Sequence, residues 1–570
     1  MTDKLLISTA QFDPTVGDVV SNTIKIMEGW HKAKATSADL YITTEHSLLG
    51  YPPEDLVKKP DVLLECQDAV QYIAKATRDG PPLLIAGPIE ENGIIYNAAF
   101  YIGGGKVLKV IKKHDLPNYG VFDDKRVFGA GQDQEPILVK GVPVGVLICE
   151  DTWFPEVAEN LVKKGAKILA SMNASPYECD KEISSRMDVL FARTIETGLP
   201  MIYVNQVGGQ DGVVFDGHSL ALNADRSIAW KAPGWVEHQG LVTCEKRGEE
   251  WLLTGEHTTW GEGLEQAYSA IVLGTRDYIQ KNGFKKVVIG LSGGADSALV
   301  AAIAVDAIGA ENVNCVRLPS EFTSPASMDD AEEIAQILGC NLGTISIAEI
   351  AAAAGKTLTE YFGEPSSDLT AQNLQARARG LLLMAITNQH PHHLLLTTGN
   401  KSEMCVGYAT LYGDMSGGFN PLKDVYKTTV FSMMEWRNHH KPAIGLGPTG
   451  LVIPQNIITK PPSAELKAGQ TDENELGSYA TLDAVLTELI ERETPIVQII
   501  AKGYDAEYVM KISDMVDRAE HKRRQAPPGV KLTSRALFGD RRYPITNGFR
   551  SSHRVRADFA ARLNASAPRR

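Results

Sequence analysis

Residues 285–309 read KKVVIGLSGGADSALVAAIAVDAIG. An apolar β-branched run, a turn of small residues and an alanine-rich stretch predict a strand, a glycine-rich loop and a helix. Small residues at the start of a helix let backbone N–H groups close on an anion, and Ser292 and Ser297 add hydroxyl donors. Asp296 would repel a phosphate unless a divalent cation lay between them, so the loop points to magnesium as well as to a nucleotide. Working outward, VNCVRLPS (313–320), NLGTISI (341–347) and HLLLTTG (393–399) read as strands. SMDDAEEIAQILG (327–339) and QNLQARARGLLLMAITNQ (372–389) read as helices between them. Alternation at this spacing implies βαβ units and a parallel sheet with its site at the carboxyl ends of the strands.

Two short patterns compete with this reading. Gly290, Ser292 and Gly294 spell the GxSxG elbow of α/β-hydrolases, but no particular acid and histidine complete it. Gly355, Lys356 and Thr357 resemble the end of a Walker A loop, yet Ile350 stands where its first glycine belongs and AEIAAAAGKT reads as helix.

The first half has a different character. Short β-rich runs recur from KLLISTAQF (4–12) through ADLYITTEH (38–46), PPLLIAGPI (81–89), VLKVIKK (107–113) and PVGVLICED (143–151) to HSLALNA (218–224). NTIKIMEGWHKAKA (22–35) and FPEVAENLVKKG (154–165) are helical between them, which makes this a second α/β domain with a buried sheet. The expected organisation is a first domain over 1–251, a polar Gly-punctuated linker over 252–264 (LLTGEHTTWGEGL) and a second domain over 265–570.

Three strand ends in the first domain carry chemistry. Cys149 ends PVGVLI at a strand-to-helix turn, the geometry of a nucleophile. Glu45 terminates ADLYITTE and Lys113 closes VLKVIKK, and a charge ending a buried strand needs a partner. TEHSLLGYP, KKHDLPNYGVFD and GVLICEDTWFPE resemble the glutamate, lysine and cysteine segments of the nitrilase superfamily, over about residues 1 to 250. The resemblance implies an αββα sandwich with Cys149 as nucleophile, Glu45 as general base and Lys113, rather than the adjacent Lys112, beside the tetrahedral oxyanion. LPNYGVFDD and NASPYECDK are similar to the glutaminase domains of glutamine-dependent synthetases, which implies that Tyr119, Ser175 and Lys181 bind L-glutamine and that Tyr51 and Phe122 wall the pocket. Asp124 departs from the more usual glutamate, and no role is carried to it.

In the second domain SGGADS resembles the loop of ATP pyrophosphatases, enzymes that adenylylate an oxygen of their substrate on a doubly wound parallel sheet; by the loop alone the product is GMP, asparagine, thiolated tRNA or NAD. QNLQARARG, LLLTTGNKSEMCVGYATLYGDMSGGFNPLKDVYKT, KPPSAELKAGQTDENELGSY and EHKRRQAPPGVKLTSRALFGDRRYP together resemble NAD synthetases, from about residue 265 to 555. That implies ATP contacts from Gly290, Leu291, Ser292, Gly293, Gly294, Ala295, Asp296 and Ser297, with Arg377, Thr398 and Lys427. It implies deamido-NAD contacts from Asn373, Glu403, Asp414 and Lys522, and magnesium on Asp296 and Glu403. The whole chain is thus similar to the glutamine-dependent NAD(+) synthetase family. The substrates implied are glutamine, ATP and deamido-NAD. Free ammonia would be protonated in neutral water, so the fusion implies a dry passage between the halves, and similar enzymes are homo-oligomers.

Composition bounds the alternatives. At 570 residues, 43% hydrophobic and 22% charged, the chain is an ordinary multi-domain globular protein. A net charge of −13 argues against nucleic-acid binding. A local exception is 521–570, where thirteen Lys and Arg face only Asp540 and Asp558. It is either a solvated basic tail or, through Lys522, Arg523 and Arg524, a site for ligand phosphates. Seven scattered cysteines, with no CxxC pair, suit a reducing compartment rather than disulfides or zinc. With no leader pattern and no apolar run near about 18 residues, a cytoplasmic enzyme without membrane contact is expected.

Overall fold

The computed structural model describes residues 2–556 except 133, 180–181, 468–470 and 548, with the side chains of 182–184 and 553–554 also outside it. The chain divides into two compact units, Met1–Glu262 and Gly263–Arg570.

In the first unit two sheets stack face to face. The larger has seven strands, in the order Glu250–Thr254, His238–Arg247, Lys4–Gln11, Leu40–Ile42, Leu83–Glu91, Ile94–Gly103, Lys106–Lys112. The other has six, in the order Ile228–Lys231, Leu220–Leu222, Met201–Asn205, Ile168–Asn173, Val142–Ile148, Ile137–Val139. Their facing sides share one core, with Ile7, Ile42 and Leu84 from one sheet and Val146, Ala170 and Val204 from the other. Helices Val19–Ala35 and Pro60–Ala76 cover the outer face of the first sheet, and Pro155–Lys163 and Glu182–Thr197 that of the second. Central strands buried on both faces explain why their sequences read as continuous apolar runs rather than alternating ones.

The linker reading gives way at its start. Leu252 to Thr254 belong to the last strand and pair with Thr243 to Glu245, because Trp251 and Leu253 alternate into the core. A chain that only joins domains needs no such alternation.

The second unit is built on a four-stranded sheet, Asn341–Thr344, Val313–Arg317, Lys286–Gly290, His393–Leu396 in spatial order, every pair parallel. The strand order reverses between Lys286–Gly290 and His393–Leu396, so the loops leaving these two neighbours diverge and open a crevice at their carboxyl ends. Helix Ala295–Ile308 is almost wholly buried beside the sheet, as its run of alanine, valine and isoleucine requires. A helical domain, with Leu482, Val485, Leu486, Ile512 and Val516 at its core, completes the unit. Among the described residues no helix is long and apolar enough to cross a membrane.

Candidate functional site

In the first unit three chain segments deliver side chains to one buried point. Strand Val142–Ile148 ends at Cys149, which holds a φ of +48° in a tight turn Cys149–Thr152. A left-handed backbone is unfavourable for a side chain with a Cβ and is kept only where the surroundings impose it. The following helix begins at Pro155, so no helix N-terminus supports the sulfur. Burial and then Glu45 push the Cys149 thiol well above its usual range, and Lys113 pulls it back only in part. The resting sulfur is therefore a thiol, and attack needs a base.

Glu45 lies three residues beyond its short strand Leu40–Ile42 and is wholly buried. Its Oε1 accepts from Lys113 Nζ at 2.8 Å and from Asn97 Nδ2 at 2.7 Å, and its Oε2 from the Ala174 N–H at 3.1 Å. Lys113, 1% exposed, also donates to Asp124 Oδ2 at 2.8 Å, and the other oxygen of Asp124 accepts from Tyr51 OH at 2.9 Å. Burial opposes the Lys113 charge, but Asp124 and Glu45 outweigh it and hold the ammonium well above the lysine range. Two carboxylates around one ammonium leave a net negative cluster beside a neutral thiol, an arrangement that can accept a proton at Glu45. Lys112, by contrast, points outward to Glu91 at 2.6 Å.

Of the remaining residues named from sequence, Tyr51 and Phe122 pack with Ala174 and Phe215 in one apolar cluster. Tyr119 stands edge-on to Phe122 and donates to Glu150 at 3.1 Å. Ser175 is buried, its N–H donating to Asn205 Oδ1 at 2.9 Å. Lys181 lies outside the described residues. Sequence reasoning missed Asn97, Glu150 and Arg186, which grips Asp216 at 2.9 and 3.1 Å, and named Asp124 without a role. The resemblance marks position 124 without a role for it; in the structure Asp123 pairs with Arg126 on the surface, and Asp124 is buried.

The second unit holds a cavity of about 310 Å³ at the strand-order reversal. The loop after Lys286–Gly290 forms one wall, with Ser292 and Ser297 hydroxyls 3.0 Å apart. Gly293 has φ +77°, and a Cβ there would meet the Ser327 carbonyl oxygen at 2.2 Å, so glycine is required on both counts. Asp296, Thr398, Glu403, Asp414 and Lys427 also line the cavity. Lys427 Nζ contacts Asp296 and lies 3.6 Å from Glu403 Oε1. Burial, and then the charge of Asp296, push the Glu403 carboxyl up to about 8. The donor set fits a hard divalent cation: two carboxylates share one end of a cavity with room for phosphates, the partnership magnesium prefers.

Asn373, Asp414 and Lys522 gather around the segment 407–414. Thr410 donates through Oγ1 to Asn373 at 2.9 Å and through its N–H to Asp414 at 2.9 Å, while Lys522 Nζ donates to the Gly407 and Ala409 carbonyls at 2.7 Å. Burial lifts the Asp414 carboxyl to about 6 against the Thr410 N–H. Arg377 is exposed and donates to the Leu411 carbonyl at 3.2 Å; Arg379, two residues on and turned to the other side of the helix, lines the cavity. The phosphate-binding reading of the basic tail fails at Arg523, which is buried and spends its donors on the Cys405 and Val516 carbonyls and on Glu520. Arg524 and Arg541 pair with Glu520 as well. Glu520, one residue before this stretch, thus pairs with three of its arginines and offsets one of their three charges.

Residues 267–526 match the NAD synthase family and residues 6–247 the carbon-nitrogen hydrolase family. The chain is 45% identical to the glutamine-dependent NAD(+) synthetase of Rhodobacter capsulatus over 552 residues, covering 96% of this chain and 100% of that one. It is 39% identical to that of Thermotoga maritima, covering 96% and 99%. Among solved structures it is similar to the glutamine-dependent NAD+ synthetase of Acinetobacter baumannii in complex with ADP, with a TM-score of 0.76 at 40% identity over 96% of this chain and 99% of that chain. The same fold recurs in the enzyme of Cytophaga hutchinsonii, with a TM-score of 0.79 at 21% identity over 99% of each chain.

Proposed function

The chain belongs to the glutamine-dependent NAD(+) synthetase family, and from that membership we propose how its own residues divide the reaction. Cys149 attacks the side-chain amide of glutamine and passes its proton to Glu45. Lys113 meets the developing oxyanion, Glu45 returns the proton to leaving ammonia, and water activated by Glu45 then hydrolyses the thioester to glutamate. Tyr119, Ser175 and Lys181 hold the glutamine, and Tyr51 and Phe122 wall its pocket. The observation that carries this reading is the buried hydrogen-bonded chain Glu45–Lys113–Asp124 in the same site as the buried Cys149, whose thiol burial and then Glu45 hold well above its usual range.

In the second unit the loop Gly290–Ser297 takes the phosphates of ATP, assisted by Thr398 and Lys427, with Arg379 rather than the exposed Arg377 on the cavity wall. Asn373, Glu403, Asp414 and Lys522 hold deamido-NAD with its nicotinate carboxylate directed at the α-phosphate. The carboxylate oxygen attacks the α-phosphorus of ATP and expels pyrophosphate; ammonia then attacks the acyl adenylate and displaces AMP, which gives NAD. Asp296 and Glu403 would hold magnesium, which when bound offsets the charge of the phosphates. The same reading includes transfer of ammonia without release, action in the cytoplasm and assembly from several copies. Support for assembly comes from helices Ala348–Phe362 and Asp368–Gln389, which leave Tyr361, Phe362, Leu369 and Leu381 exposed.

The test is NAD formation from deamido-NAD, ATP and magnesium with either glutamine or ammonium as nitrogen source. Cys149→Ala should abolish the glutamine reaction and retain the ammonium one. If wild type makes no NAD from either source, the substrate assignment is wrong.

A further inference from the structure

Asp296 and Glu403 come from different elements. Asp296 opens the helix after strand Lys286–Gly290, whereas Glu403 sits in the short helix Lys401–Val406 after the neighbouring strand His393–Leu396. The Lys427 ammonium contacts Asp296 and lies 3.6 Å from Glu403 Oε1, which offsets the repulsion of two carboxylates at one end of a cavity. A second side chain ties the Asp296 carboxylate to the backbone of Glu403. Asn400, fully buried, caps the short helix by accepting the Glu403 N–H on Oδ1 at 3.0 Å, and donates from Nδ2 to Asp296 Oδ1 at 3.0 Å. A backbone N–H can only donate and a carboxylate can only accept, so these partners dictate which end of the amide faces which.

The turn bearing Asn400 is itself anchored. Lys401, beside it, is buried against Asp424 at 2.8 Å, Glu491 at 2.5 Å and the Thr533 hydroxyl at 2.6 Å, and its N–H donates to the Val425 carbonyl at 2.8 Å. The Ser402 hydroxyl donates to Asp483 at 2.5 Å and accepts the Lys427 N–H at 2.9 Å, which ties the start of the lysine helix to the same turn. The amide is thus held by packing on a rigid segment and reaches across to the glycine-rich loop.

We propose that Asn400 is the positioning residue of the cation pair: its amide sets where the Asp296 carboxylate stands relative to Glu403. The inference rests on the reading of those two carboxylates as the magnesium-holding pair. Groups that orient metal ligands through hydrogen bonds typically change metal affinity by about 10- to 100-fold when removed. Size and charge leave few substitutes. Aspartate would face Asp296 with a second negative charge, and serine can cap the helix but is too short to reach Asp296 as well.

That difference supplies the test. Mn2+ is titrated into the full-length enzyme without nucleotide, and free Mn2+ is counted by electron paramagnetic resonance, for wild type, Asn400→Ser, Asn400→Ala and Asp296→Asn. Melting temperature and glutaminase rate are followed alongside. Asn400→Ser should keep the wild-type melting temperature and glutaminase rate and yet bind Mn2+ about tenfold more weakly, as should Asn400→Ala. If Asn400→Ser binds Mn2+ within twofold of wild type while Asp296→Asn is weakened, Asn400 is a cap only and the proposal fails. If wild type holds no Mn2+, or Asp296→Asn binds it as wild type does, the reading of the carboxylate pair itself falls.

Discussion

Asp124→Asn tests the electrostatics of the glutaminase cluster with one change of charge and almost none of shape. The Glu45 and Asp124 oxygens each lie 2.8 Å from Lys113 Nζ. They are therefore at most about 5.6 Å apart, where two unit charges repel by about 3 kcal/mol at an effective dielectric of about 20. That repulsion is relieved when Glu45 takes the thiol proton, so Asp124 makes Glu45 a readier acceptor. The neutral amide removes this assistance while its oxygen still accepts from Lys113. If about half of the 3 kcal/mol is felt at the transition state, glutamate release slows by about tenfold; full transmission gives about a hundredfold. The assay is glutamate release at saturating glutamine, with ammonium-dependent NAD formation as the control that should not change. Asp124→Glu restores the charge and should turn over faster than Asp124→Asn. A glutaminase rate within twofold of wild type in Asp124→Asn would refute the argument, and the Lys113 bridge would then be packing alone.

Two further outcomes follow from other sites. His46 is wholly buried with neither ring nitrogen hydrogen-bonded, and burial, then Lys113, lower its pKa from 6.5 to about 3. The folded state excludes a proton that the unfolded chain takes up below about 6.5, so this stability is complete above that pH and is lost as pH falls toward 3. The loss is about 2 kcal/mol at pH 5. Asn tolerates the left-handed backbone at this position and does not titrate, so the denaturant midpoint of the first unit should fall less between pH 7 and 5 in His46→Asn than in wild type; equal falls would clear His46 of the effect. Gly293→Ala should abolish NAD formation from either nitrogen source and spare glutaminase, because the added methyl has only the Ser327 carbonyl to displace; normal ammonium-dependent turnover would show that the loop can shift.

Much of this molecule is legible along the string because its signals are local. Strand, glycine turn and buried helix at 285–309 follow from side-chain volume and periodicity within one segment, and the parallel order follows from alternation of such segments. Cys149, Glu45 and Lys113 each stand at or just beyond a strand end, a position that a sequence displays. Contacts across the fold are a different matter. That Asn97 meets Glu45, that Arg379 rather than Arg377 lines the cavity, and that Glu520 pairs with Arg523, Arg524 and Arg541 depend on which face of a turn or helix meets another element. So does Asn400, whose meaning lies in holding at once a carboxylate 104 residues away and a backbone N–H 3 residues away. Propensity and pattern determine what each segment becomes; which buried polar groups satisfy one another is decided only when segments distant in sequence exclude water together, since burial is what makes an unpaired charge costly.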